Sequence, residues 1–214
     1  MREHYILCVL SQINVARAKQ SDHTLHRRGK EDITVPGYQT NEAPVECLIK
    51  LAHEDGDPIT GVICLVTDEC NLVVTTKDGE SFTAKSHFRE AIKRYYEREG
   101  FGGALNPARD EGFFIDIAYD GENPSSNLNE IIKTLDRKDV LIDIDTTGGP
   151  RDAAFLLTSV VQFIEAKYRS RYRTGLGRTV YSNVPARQGR TPCLAGTVTA
   201  RLGNDYKPSI SMGW

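Results

Sequence analysis

The stretch VLIDIDTTGGPRDAAFLL, Val140 to Leu157, decides the fold. Val140 to Asp145 is a largely apolar run of strand length, the composition of a strand covered on both faces. From Ala153 the pattern turns helical. Ala153, Ala154, Leu157, Val160, Val161, Ile164 and Tyr168 form a broad apolar face, fit to cover a sheet, a neighbouring subunit or both. Its apolar excess points to a subunit interface. Between strand and helix stand Asp145, Thr146, Thr147, Gly148, Gly149, Pro150 and Arg151.

In a doubly wound α/β sheet, ligands sit beyond the carboxyl ends of the strands. Residues 145 to 151 occupy such an end. Gly148 and Gly149 bare the backbone to close approach, and Pro150 suits the first turn of the helix. The free N–H groups of that turn favour an anion. Thr146 and Thr147 add hydroxyls, and Arg151 adds a planar cation matched to phosphate. The plainer alternative is a tight Gly-Gly turn with Asp145 as a helix cap.

Outward from this stretch, strands and helices alternate. Tyr5 to Leu10, Val62 to Val66, GFFIDIAYD and RTVYSNV read as further strands. TNEAPVECLIKLAHEDG reads as a helix with Thr40 or Asn41 as cap, a face of Val45, Leu48, Leu51 and Ala52, and Gly56 at its end. KSHFREAIKRYYEREG places Phe88, Ala91, Ile92 and Tyr95 inward, and SSNLNEIIKTLDRKD does so with Leu128, Ile131, Ile132 and Leu135. CNLVVTTKDGES reads as a short excursion with a turn at Asp78-Gly79. SQINVARAKQSDHTLHRRGKED reads as a long polar loop. This order predicts an α/β, doubly wound, mostly parallel sheet in residues 1–183, followed by an irregular or disordered tail over 184–214.

Two further strand ends carry short polar groups. Ser11, Gln12 and Asn14 follow the first, and Thr67 and Asp68 follow the second. With residues 145 to 151 they make a polar floor able to meet base edges, sugars and phosphates. Dinucleotide fingerprints are weak. GFGGAL (100–105) precedes a strand, GLG (175–177) lacks a third glycine, and there is no P-loop. A nicotinamide enzyme is therefore the minor alternative.

The totals narrow the classes. A formal charge of −2 over 214 residues argues against coating a long nucleic acid by charge. Five cysteines, several in apolar runs, read as buried thiols of a reducing compartment. No metal ligand set and no cofactor are expected. YILCVL is too short for an export core or a membrane span, which points to the cytoplasm. The basic segment KYRSRYRTGLGR, Lys167 to Arg178, reads as a solvated helix end, with contact to a nucleotide or RNA as the rival reading.

IDIDTTGGPR with its following helix resembles the sensor domains of CRISPR-associated proteins with a Rossmann-like fold, the CARF domains. The matching residues are Asp145, Thr147, Gly148, Gly149 and Arg151. YQTNEAP (38–44) and VYSN (180–183) look like segments of one branch of that family. The resemblance implies a homodimer that binds cyclic oligoadenylate, the second messenger of type III CRISPR defence, with the tetra-adenylate ring favoured. It also implies a possible metal-independent cleavage of the ring through a ribose 2′-hydroxyl. Thr146, Thr147 and Arg151 would then act on the phosphate, faced by Ser11, Gln12 and Asn14. A stand-alone ring nuclease is thus the second expectation, and an unrelated nucleotide-binding enzyme the third. The ribonuclease effectors of this branch carry Arg and His separated by four residues. That spacing does not occur here, so no RNase activity is expected.

Overall fold

The computed structural model describes residues 2–13, 21–25, 31–37, 41–75, 79–101, 107, 111–135, 139–149, 153–168, 175–181 and 198–199. In chain order they form β1 (Glu3–Val9), β2 (Ser21–Leu25), β3 (Ile33–Gly37), α1 (Glu42–Glu54) and β4 (Gly61–Val66). Then come β5 (Val73–Thr75), β6 (Ser81–Thr83), α2 (Ala84–Glu99), β7 (Phe114–Ala118) and α3 (Pro124–Leu135). The last elements are β8 (Val140–Asp145), α4 (Ala153–Tyr168), β9 (Gly175–Val180) and β10 (Val198–Thr199).

The main sheet has the order β10-β9-β8-β1-β4-β7. Its five longer strands are parallel, and β10 adds antiparallel at the edge against Thr179 and Arg178. The chain builds outward from β1 to β4 and β7. It then returns to the other side of β1 for β8 and β9. The order therefore reverses between β1 and β8, which opens a crevice at their carboxyl ends.

Side chains alternate along each strand and divide the core in two. Ile6, Cys8, Val62, Cys64 and Phe114 face α1 and α2. Tyr5, Leu7, Val9, Ile63, Leu65, Ile142 and Ile144 face α3 and α4. The inward faces expected for α2 and α3 are present, although Leu128 and Ile132 are only partly covered. On α1, the expected Leu51 packs on the core partly covered, and Ile49 joins the buried face. Thr83 and Ser86 close a capping box at the start of α2.

Two expectations are corrected. The polar stretch after β1 is not all loop: β2 pairs antiparallel with β3, and Ile33 and Val35 of β3 enter the core beside α1. Of the two covers read for the apolar face of α4, the sheet is present, and Ala153, Leu157, Val160, Val161 and Ile164 are all buried against it. Ala154 and Tyr168 lie outside the described side chains. What α4 leaves outward is Phe155, 79% exposed, and Phe163, 46% exposed.

Arg178 is the second: Lys167 does stand exposed in the last turn of α4, and 169–174 lie outside the described residues, but Arg178 is no solvated helix end. It sits in β9, and its guanidinium pairs with Asp143 and with Asp55. Two β9 residues, Gly177 and Arg178, oppose Asp143 at a bulge between β8 and β9. There the Asp143 carboxylate replaces a ladder carbonyl and accepts from the Arg178 backbone N–H at 2.6 Å. His4 Nε2 lies 3.1 Å from the same carboxylate. A side chain at Gly177 would collide with it. A buried Asp in a strand is thus paired with a cation of β9, with His4 of β1 beside it, which ties β9 to β8.

The four described cysteines, Cys8, Cys47, Cys64 and Cys70, are buried and free. Among the described residues no helix is long and apolar enough to cross a membrane.

Candidate functional site

A cleft of about 690 Å³ opens over the carboxyl ends of the strands. Leu10, Ser11 and Gln12 line it from the end of β1, Thr67, Asp68 and Glu69 from β4, Tyr119, Gly121 and Glu122 from β7, and Gly149 from β8. Five of the residues singled out in the sequence, Ser11, Gln12, Thr67, Asp68 and Gly149, therefore share one wall. Asn14 and Arg151 lie outside the described residues.

Asp145, Thr146, Thr147 and Gly148 do not line this cleft. They form the turn that supports it. Asp145 is fully buried. Its Oδ1 accepts from the Thr147 backbone N–H at 2.8 Å, a local turn in which the carboxylate replaces a backbone acceptor. Its Oδ2 accepts from Asn41 Nδ2 at 2.6 Å. Burial pushes the Asp145 carboxyl up to about 6, while the bonds from Thr147 and Asn41 pull the other way. Thr146 leans toward β9, where its N–H and its hydroxyl both donate to the Val180 carbonyl, at 3.0 and 3.1 Å.

The two glycines differ in their work. Gly149 has φ +80° and lies on the cleft, so its left-handed backbone is what glycine tolerates best. Gly148 is buried, and a Cβ there would fall on the Val9 carbonyl and the Asn41 amide. Its bare backbone makes room for the protein itself. Gly148→Ala should cost about 1–3 kcal/mol, the usual penalty of overpacking a closed site. Denaturant unfolding checks this, and a loss within error of zero would show that the turn can shift freely.

The residue that sequence reading missed is Asn41. It stands just before α1, where a capping role is the natural expectation. Its backbone is helical (φ −86°, ψ −18°), and its side chain makes no cap bond. A capping side chain reaches back from extended backbone, which this residue lacks. Asn41 instead is fully buried, donates to Asp145 and accepts the Ser11 backbone N–H on Oδ1 at 2.7 Å. One amide thus joins the end of β1, the start of α1 and the turn after β8. Thr40 lies outside the described residues.

The cleft is acidic, since Asp68, Glu69 and Glu122 line it and no lysine or arginine does among the described residues. Its own backbone N–H, then the Thr67 hydroxyl, hold the exposed Glu69 carboxyl below the usual range. Such a wall accepts hydrogen bonds from amino groups and hydroxyls. Serine and glutamine beside it supply donors as well.

No protein-family model matches the chain, and no curated protein matches it.

Proposed function

We propose that this chain is a homodimeric sensor that binds cyclic oligoadenylate in the cleft at the strand ends. The observation that carries the reading is the convergence of Ser11, Gln12, Thr67, Asp68 and Gly149 on one cleft, next to the point where the strand order reverses. The acid lining fits the nucleoside part of such a ligand. Asp68, Glu69 and Glu122 can accept from the adenine amino group and from ribose hydroxyls, and Tyr119 offers a ring for stacking. Gly149 leaves backbone open beside them, and Arg151 is the residue expected from the sequence to meet phosphate. Phe155 and Phe163, eight residues apart on one side of α4, supply the apolar surface for the second protomer.

The test is a calorimetric screen of rings of three to six adenylates, with chelator present and the ligand recovered and analysed afterwards. The account expects one ring per two protomers, with affinity highest for the tetra-adenylate. Intact recovered ring supports a sensor, whereas a linear product formed without metal makes the protein a ring nuclease. Preference for a monomeric dinucleotide would overturn both.

A further inference from the structure

We propose that Asn41 is the positioning residue of the cleft and that, with Asp145, it forms a proton-operated latch on the segment leaving β1. An amide is a donor at one end and an acceptor at the other. With Asp145 ionised, Nδ2 donates to Oδ2, and this orientation turns Oδ1 toward the Ser11 N–H. One setting of the amide satisfies both neighbours.

A proton on Asp145 Oδ2 breaks this agreement. A donor then faces Nδ2, itself a donor. Turning the amide restores the bond to Asp145, because Oδ1 can accept from the new O–H. The same turn points Nδ2 at the Ser11 N–H, donor against donor. The Ser11 N–H must then give up the Asn41 oxygen, and Ser11 and Gln12 are cleft lining. Gly148, packed on the Asn41 amide and the Val9 carbonyl, leaves little space for a third arrangement. The pair is therefore a two-state element of the kind that switches need.

The surroundings leave burial in charge of the proton. On β1, Cys8 is the register partner of Asp145, and Cys64 of β4 stands 3.8 Å from Cys8, sulfur to sulfur. Asp143, two residues back along β8, is occupied by Arg178 of β9 and His4 of β1. At the entrance to α1 stand Asn41, just before the helix, and Glu42, its first residue, which lies 3.0 Å from His87 of α2. No cation among the described residues pairs with Asp145, so the lift of its carboxyl to about 6 brings the latch within reach of mild acidification.

The latch stands on this geometry, with the lifted Asp145 carboxyl setting its pH range, and its effect on ligand rests on the proposed function. The experiment follows backbone amide exchange of the whole chain by NMR between about pH 7.5 and pH 5, as protection factors, alongside the Asp145 carboxyl carbon. Ser11 protection should fall about tenfold or more as Asp145 titrates, while Ile63 in central β4 keeps its protection. Asp145→Asn, an uncharged donor–acceptor like the protonated acid, should leave Ser11 exchanging fast at both ends of the range. The affinity for cyclic tetra-adenylate should fall with Ser11 protection.

Ser11 protection that stays constant while Asp145 titrates would overturn the latch, as would an Asp145 that does not titrate above about pH 5. Equal loss at Ile63 would mean general unfolding and overturn it too. Should Asp145→Asn fail to fold, the titration of the unaltered chain decides alone. A ring that binds at no pH, with Ser11 responding as described, counts against the proposed function and for the latch.

Discussion

Asn41→Ala is expected to remove about 2–4 kcal/mol of folding stability at neutral pH, the sum of a lost charged hydrogen bond inside the fold and a lost acceptor for a half-buried N–H. The substitution deletes both bonds of the amide at once. Asp145 keeps only Thr147 as a donor while remaining fully buried, and the Ser11 N–H loses its acceptor. The Asp145 carboxyl should move further above its ordinary range, because one of the groups that favour its charge is gone. Asn41→Asp sharpens the test. It keeps the size and the acceptor for Ser11 but sets a second carboxylate against Asp145. It should be as damaging at neutral pH and recover in part near pH 5, where one of the two acids takes a proton. Urea unfolding at both pH values measures this. A loss below about 1 kcal/mol for Asn41→Ala would show that water replaces the amide at little cost.

Glu46→Gln is expected to stabilise the protein by a few kcal/mol above about pH 8, on the order of the cost of burying a carboxylate whose titration is lifted from 4.5 to about 8. Glu46 lies on α1 and is buried, with Oε2 3.7 Å from the Arg98 guanidinium and without a hydrogen-bond partner among the described residues. Burial raises its carboxyl from 4.5 to about 8, against the pull of Arg98, and Glu42 and Glu99 add to the lift. Between those values the folded chain holds a proton that the unfolded chain has released. Stability therefore falls as pH rises from about 4.5 through about 8. Glutamine has the shape of the protonated acid and no charge to bury. The variant should match the parent near pH 4.5 and diverge upward from it as the solution becomes alkaline. Asp145 carries a similar dependence at lower pH in both proteins, so the difference between them isolates Glu46. Curves that run parallel from pH 5 to 9 would contradict the assignment. The Tyr95 hydroxyl, also buried without a partner, is raised by burial and does not enter this window.

The parts of the fold legible in the sequence are those whose pattern is local. Val140–Asp145 and Gly61–Val66 are covered on both faces, so nearly every position is apolar and the strand shows without its context. The inward face of α2 repeats at helical spacing for the same reason. β2 and β3 escape because five-residue strands such as SDHTL and ITVPG hold too few apolar positions to set a period. The site follows the same division. Three strand ends with short polar groups were visible, since strand ends are where a doubly wound sheet leaves side chains free. The acids Glu69 and Glu122 and the ring of Tyr119 looked like ordinary loop residues. Asn41 was hidden by distance, as its partners lie 30 and 104 residues away along the chain. A clue was present. Two aspartates alternate with isoleucines in VLIDID, so both must be buried on one face and must find partners elsewhere. Asp143 finds Arg178, beside His4, and Asp145 finds Asn41.

The measurement that bears most directly on the central claim is a crystal structure grown with cyclic tetra-adenylate. The account predicts two protomers related by a two-fold axis through a single ring. Adenine should sit over the wall of Ser11, Gln12, Thr67 and Asp68, with the backbone of Gly149 at its edge. A ring bound elsewhere, or crystals that hold none from a saturating solution of a monomeric protein, would contradict it.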